Sequence, residues 1–279
     1  MTGIYDGHIH TPYCPHGSAD SLSEYIERAI QLGYRGMTFT EHAPLPEGFT
    51  DPVPENDSAM EMSRLPAYLD ELTSLKKYYS SALTLNIGLE VDYIEGWENE
   101  TRAFLNEFGP RLDDAILSVH FLKQNEHYYC LDYSETMFGE IAAVFGSTAQ
   151  VHSSYYRTLA QSITSDLGTY KPRRIGHMTL VNKFQALYPT EASFERDIQG
   201  ILTLFKTHGL ELDYNGAGLS KPFCKEPYPP DKVVEEAVKQ GIPLVFGSDA
   251  HSVKGLGQGL DSLIHTESLS VPLFLNRGE

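Results

Sequence analysis

The segment YDGHIHTPYCPHG (Tyr5–Gly17) begins with a short strand pattern in which histidines alternate with other residues. Side chains two residues apart lie on the same face of a strand, so His8 and His10 point the same way. The segment VFGSDAH (Val245–His251) repeats this arrangement near the other end of the chain, with a carboxylate and a histidine. Together, the two segments predict that strands from opposite ends of the chain meet at one polar site.

Between these segments, strand-like runs alternate with helical patterns. The segment 21–34 is a predicted helix that begins with a capping box formed by Ser21 and Glu24. LKQNEHYYCLD (122–132) fits the alternation poorly and is interpreted as an excursion, such as a hairpin. Seven strand–helix steps without a linker predict one α/β barrel with a parallel sheet, in a single domain spanning residues 1–279.

The composition excludes several classes of protein. A formal charge of −17 argues against a nucleic-acid partner, because phosphate backbones attract clustered Lys and Arg. Three cysteines, far apart in the sequence, argue against a disulfide framework. We find no apolar run of the roughly 20 residues that a membrane span needs and no signal peptide. We therefore expect a cytoplasmic protein with a small-molecule ligand; the sequence does not indicate its oligomeric state.

Polar side chains collect where the predicted strands end, which is where parallel barrels carry their catalytic groups. His16 follows the first strand on its loop, and His152 follows the fourth strand. Eight of the 11 histidines belong to this set. The residues at the strand ends themselves are His8, His10, Glu41, His42, Glu90, His120, His177, Asp249 and His251.

These residue types indicate metal binding. Imidazole nitrogen suits zinc, iron and manganese, and carboxylates suit harder divalent ions. Glu90 lies in the apolar run NIGLEVDYI, where an unpaired carboxylate would cost several kcal/mol; a buried salt bridge is the alternative to a metal. Cys14 has no partner thiol nearby in the sequence, so we do not expect it to bind the metals. Nine candidate ligands fit two or three metals: His8, His10, His16, His42, Glu90, His120, His152, Asp249 and His251.

The motifs DGHIHT, TEH, GLEVDY, SVH and GSDAH resemble those of the polymerase and histidinol phosphatase (PHP) superfamily. Their order and spacing match over nearly the whole chain, from Asp6 to His251. The longer segments HGSADSLSEYIERAIQLGYRGMTFTEHAPLP and ILSVHFL are most similar to the branch of that family that hydrolyses L-histidinol phosphate.

The resemblance implies a distorted (βα)7, TIM-like barrel with a trinuclear metal centre at its mouth, holding zinc, iron or manganese. It implies that the first metal is bound by His8, His10, Glu90 and Asp249. The second would be bound by Glu90, His120 and His152, and the third by His16, His42 and His251. Asp6 and Glu41 would then orient ligands from behind.

The implied reaction is hydrolysis of a phosphomonoester, L-histidinol phosphate, by a hydroxide held between two metals and oriented by Asp249. His177 is a candidate proton donor or substrate contact, with a structural core role as the alternative. Arg157 is a candidate phosphate ligand, with a plain surface position as the alternative. Asp213 and Asn215 are candidates for contacting the ammonium and imidazole groups of the substrate.

Three other functions compete with this hypothesis. A PHP phosphoesterase could act on nucleotides or another small phosphomonoester, although the acidic composition disfavours polynucleotides. A barrel amidohydrolase often uses a carboxylated lysine at a strand end, and none of the strand ends named above carries a lysine. A non-catalytic PHP domain would serve a partner protein, but all nine ligand positions are filled here.

Overall fold

A computed structural model describes residues 3–275 and contains a parallel seven-stranded sheet in the order β1-β2-β3-β4-β7-β8-β9. The strands are β1 (Tyr5–Ile9), β2 (Gly36–His42), β3 (Thr84–Asp92), β4 (Ile116–Ser118), β5 (Phe121–Gln124), β6 (His127–Cys130), β7 (Arg174–Ile175), β8 (Glu211–Asn215) and β9 (Leu244–Gly247). The sheet curls until its edges nearly meet, where Ile9 pairs with Ala250. The predicted barrel fold is confirmed.

Helices follow the strands and pack outside the sheet through one large apolar cluster. They are α1 (Leu22–Gln31), α2 (Leu65–Tyr78), α3 (Glu98–Phe108), α4 (Glu135–Phe145), α5 (Thr148–Thr164), α6 (Glu195–His208) and α7 (Asp231–Gln240). The predicted capping box is present at α1, where Ser21 and Glu24 each bond the other's backbone N–H. Within residues 3–275, no helix is both long and apolar enough to cross a membrane.

The predicted excursion is an antiparallel hairpin of β5 and β6, which pair only with each other. In the sequence, the hairpin and helices α4 and α5 come between β4 and β7. These two strands are nevertheless neighbours in the sheet. The predicted domain limits, residues 1–279, extend beyond the described residues at both ends and stay a prediction.

A buried polar layer fills the barrel near the amino ends of its strands. Arg174, with no exposed surface, donates to Asp114 Oδ2 at 2.7 Å and to the Gly7 carbonyl at 2.8 Å. Thr38 also donates to Asp114 Oδ2, and its hydroxyl lies 2.9 Å from that of Tyr5. The charge of Arg174 therefore compensates a carboxylate that has no access to water.

We predict that Arg174→Met destabilises the fold by about 3–5 kcal/mol, because it leaves the Asp114 charge buried without a partner. Urea unfolding measures the change. The neighbouring Arg173 is exposed, so Arg173→Met is expected to change stability by no more than about 0.5 kcal/mol. The double variant Arg174→Met/Asp114→Leu removes both charges and should recover most of the loss. Equal destabilisation by the two single variants would contradict this role.

Candidate metal centre

The carboxylate of Glu90 lies at the centre of the barrel mouth, 1% exposed, at the carboxyl end of β3. Imidazole nitrogens face both of its oxygens. Oε1 lies 2.9 Å from His177 Nε2 and 3.7 Å from His120 Nε2. Oε2 lies 3.3 Å from His8 Nε2, 3.4 Å from His10 Nε2 and 3.2 Å from His42 Nδ1. The two oxygens of one carboxylate therefore serve two separate sets of histidines.

The strand ends bring the remaining ligands to this point. Asp249 follows β9, and its backbone N–H donates to the His8 carbonyl of β1 at 2.7 Å. A side chain at Gly247 would collide with Asp213 and with the Cβ of His8, so glycine is required for this close approach. Asp249 and His177 have positive φ angles of 53° and 21°. Such backbone conformations in non-glycine residues are common at functional sites.

Ligand atoms form three groups, two of which share His10. The groups are His8, His10 and Asp249; Glu90, His120 and His177; and His10, Cys14, His42 and His251.

The spacing between nitrogen atoms fits divalent metal ions. His8 Nε2 lies 3.3 Å from His10 Nε2, and His120 Nε2 lies 3.2 Å from His177 Nε2. Two nitrogens bound tetrahedrally at about 2.0–2.1 Å from one zinc ion are about 3.3–3.4 Å apart. The buried Nδ1 of His42 faces Glu90 but makes no hydrogen bond, which leaves its lone pair available. The residues present therefore fit a metal centre.

Carboxylates behind the ligands fix the orientation of three imidazole rings. The Nδ1 atom of His8 bonds Asp213 at 2.9 Å, and that of His120 bonds Asp92 at 2.7 Å. A third pair is formed by His10 Nδ1 and Glu41 Oε1, 3.3 Å apart. Occupying Nδ1 in this way directs Nε2 towards the centre and makes it a better ligand.

The electrostatics of the site favour bound cations. Burial lowers the pKa of His10, but Asp249 and Glu41 more than offset this effect and raise it to about 9. The pKa of the Glu90 carboxyl lies well below its ordinary value despite burial, because His8 and His42 favour the anion. Without metals, protons on the histidines must balance these carboxylates. Divalent cations supply the same positive charge and leave the imidazoles neutral, as ligation requires.

The structure does not bring His152 into any of the three groups. It lies on α5, where its ring stacks on Phe194 with centroids 5.0 Å apart. Burial lowers its pKa to about 4. Tyr155, almost one helical turn further along, is the residue that reaches the strand end, where it donates to the His177 carbonyl. The structure therefore places His177 beside Glu90 and His120, at the position for which the resemblance implies His152.

His177 Nε2 faces Glu90 and His120, a position that favours metal binding over the predicted role as proton donor or substrate contact. Arg157, the predicted phosphate ligand, lies away from this centre. Arg157 is exposed on α5, donates to Ser154, and does not line the cavity at the centre. This is the surface position that the sequence analysis gives as the alternative for Arg157.

Asp213 and Asn215 were predicted to contact substrate, but both are fully buried behind the ligands. Asp213 accepts from the backbone N–H of His177 at 3.2 Å, in addition to its bond with His8. The amide of Asn215 donates to Asp249 Oδ2 at 3.2 Å. Both residues are buried in the barrel interior, a position that favours orienting His8 and Asp249 over the predicted contact with substrate.

His16 and Cys14 both lie at the third group. The exposed His16 ring is centred 5.3 Å from His42 and 5.2 Å from His251, and its Nδ1 is 2.9 Å from the Asp57 carbonyl. Sequence reasoning excluded Cys14, yet its sulfur lies among these histidines. Burial and the Glu41 carboxylate raise the pKa of the Cys14 thiol, which disfavours the thiolate form that binds metals.

The sequence analysis missed two lysines of the site. Lys183 and Lys221 line a cavity of about 400 Å³ above Glu90 and Asp249. Lys183 Nζ lies 2.9 Å from Asp132 Oδ2. Burial lowers the pKa of Lys183, but Asp132 more than compensates and raises it, so the ammonium stays charged. Lys183 follows β7 in a short turn of 3-10 helix, which no pattern in the sequence distinguishes.

A family profile described as "PHP domain" matches residues 6–217. The chain belongs to the PHP-domain family. It is 48% identical over 263 residues to the histidinol-phosphatase of Bacillus subtilis, covering 93% of this chain and 97% of the relative. This agrees with the family assignment that the motifs predict.

Two solved structures have the same fold as this PHP domain. One, from Listeria monocytogenes and assigned as a histidinol phosphatase, is 42% identical with a TM-score of 0.89; the match covers 92% of this chain and 99% of that one. The other is the histidinol phosphate phosphatase of Lactococcus lactis in complex with zinc, L-histidinol and phosphate. It is 19% identical with a TM-score of 0.66, over 90% and 87% of the two chains.

We predict that His177→Asn weakens metal binding more than the roughly 10- to 100-fold loss typical of removing an outer-shell partner of a ligand. His152→Asn should leave metal affinity unchanged, because its ring packs on Phe194. Metal content by atomic emission, after dialysis against graded chelator, measures both variants, and thermal melting checks that they fold. Metal loss in His152→Asn with retention in His177→Asn would reverse the assignment.

Proposed function

We infer that this chain is a histidinol-phosphatase, which hydrolyses L-histidinol phosphate to L-histidinol and phosphate. The near-full-length relationship to the Bacillus subtilis enzyme supports this activity. The observation that carries it in the chain itself is the Glu90 carboxylate, whose two oxygens face two sets of histidine nitrogens. Phosphomonoesterases commonly use such clustered metal sites.

We propose that the centre holds three divalent cations, drawn from zinc, iron and manganese. Nitrogen and carboxylate donors accept all three elements. The proposed ligands are His8, His10, His16, His42, Glu90, His120, His177, Asp249 and His251. Bound cations would lower the pKa of a coordinated water and offset negative charge on the phosphate.

The protein's own groups orient the reactants. Asp249 Oδ1 lies 3.1 Å from His10 Nε2, and Asn215 holds the other oxygen. This carboxylate is thereby positioned to accept a hydrogen bond from the attacking water. Lys183 and Lys221 line the same cavity and supply positive charge for the phosphate oxygens. Both lysines are proposed in place of Arg157, which lies outside the cavity.

The principal alternative is a PHP phosphoesterase that acts on nucleotides or another small phosphomonoester. Turnover of L-histidinol phosphate by protein loaded separately with zinc, iron or manganese tests the proposal. We expect kcat/KM to exceed that for nucleoside monophosphates by at least about 100-fold, as expected for a site that pairs the polar groups of its substrate. A preference for the nucleotides would overturn the assignment. The predicted cytoplasmic location stays a prediction.

We predict that Lys221→Met lowers kcat/KM for L-histidinol phosphate by about 10- to 100-fold, the usual cost of losing one charged hydrogen bond. Arg157→Met removes the same charge outside the cavity and should leave kcat/KM unchanged. Steady-state kinetics with metal-saturated protein measures both variants. Losses of equal size would show that the effect comes from net charge and that Lys221 makes no specific contact with phosphate.

A further inference from the structure

A second cavity of about 250 Å³ opens directly beside the metal centre. The two cavities adjoin, because five residues line both of them: His16, His42, His120, Asp132 and Lys183. The residues that line the second cavity and not the first are Asp57, Ser58, Asp92, Phe121, Cys130 and Tyr133. A phosphomonoester with its phosphate at the metals would place the remainder of the molecule here.

The walls of this cavity are held in place by hydrogen bonds. One wall is the loop 43–60, in which the Asp51 carboxylate accepts from the backbone N–H groups of Val53 and Ser58. The other wall contains Phe121 of the β5–β6 hairpin and Tyr133, which follows it. The Tyr133 hydroxyl donates to Glu55 of the loop, which ties the two walls together. The cavity thus has a preformed shape with two aromatic side chains.

One acidic group in this lining lacks a partner. The Asp132 carboxylate pairs with Lys183, and that of Asp92 pairs with His120 at 2.7 Å. Within residues 3–275, the Asp57 carboxylate makes no hydrogen bond and no ion pair, whereas its carbonyl bonds His16. Asp57 therefore gives the cavity one uncompensated negative charge.

We propose that this second cavity binds the cationic, imidazole-bearing end of the substrate, and that Asp57 determines this specificity. The proposal rests on the proposed function. Asp57 meets an ammonium or imidazolium group, and the rings of Phe121 and Tyr133 pack against the planar imidazole. The same chain thus separates the two ends of the substrate by charge, with the phosphate at the metals and lysines and the cation at Asp57.

The test compares two esters of primary alcohols, L-histidinol phosphate and 2-phenylethyl phosphate, which lacks a cation. We expect Asp57→Asn to lower kcat/KM for L-histidinol phosphate by about 10-fold or more, mainly through KM. The loss for 2-phenylethyl phosphate should be at least about fivefold smaller. Asp57→Glu should restore part of the preference. The control is Glu47→Gln, which removes one exposed charge from the same loop and should change neither ester.

Metal content is measured in every variant, because Asp57 also contacts His16 through its backbone. Equal losses for both esters, or no loss for either, would overturn the assignment of Asp57 while leaving the phosphatase activity of the parent protein intact. A parent protein that hydrolyses 2-phenylethyl phosphate but not L-histidinol phosphate would overturn the proposed function and this inference with it.

Discussion

Glu90 carries an anionic carboxylate into the barrel, and imidazole nitrogens face both of its oxygens. Such a charge is too costly to bury unless positive charge lies against it on every side. No single strand can supply that charge, because a strand presents only alternate residues to one face. His8 on β1, His42 on β2 and His177 after β7 must therefore converge on Glu90, and closure of the barrel is what brings them together.

The barrel interior contains two polar layers, and each compensates buried carboxylate charge in a different way. Near the amino ends of the strands, Arg174 compensates Asp114 with a charge that the chain itself provides. At the carboxyl ends, carboxylates outnumber permanent cations, and the balancing positive charge comes from protons on the histidines or from bound metals. The first layer is complete within the chain and supports folding. The second requires an external cation and is therefore where chemistry can occur.

The sequence predicts those ligands whose strands are clear from periodicity. His8, His10 and Glu90 lie in runs long enough to fix both the strand and its carboxyl end. His177 follows a strand of only two residues, and His152 lies on a helix whose orientation depends on tertiary packing. Local pattern cannot decide which of these two rings faces the centre. The same limit applies to Arg157 on α5. Helical spacing alone does not show which face of a helix packs against the barrel and which faces solvent.

The net charge of −17 is a property of the whole chain, whereas the charge that a substrate meets is set by the groups that line the cavity. Exposed charges more than about 8 Å away are largely screened at physiological ionic strength, whereas groups inside a cavity are screened much less. Lys183 and Lys221 can therefore attract a phosphate in a strongly acidic protein, because they lie within the cavity that holds the ligands. Lys183 is also paired with Asp132, so it is held in position before a phosphate arrives. The arrangement favours a substrate that carries both charges, since one cavity is cationic when metals are bound and its neighbour presents Asp57.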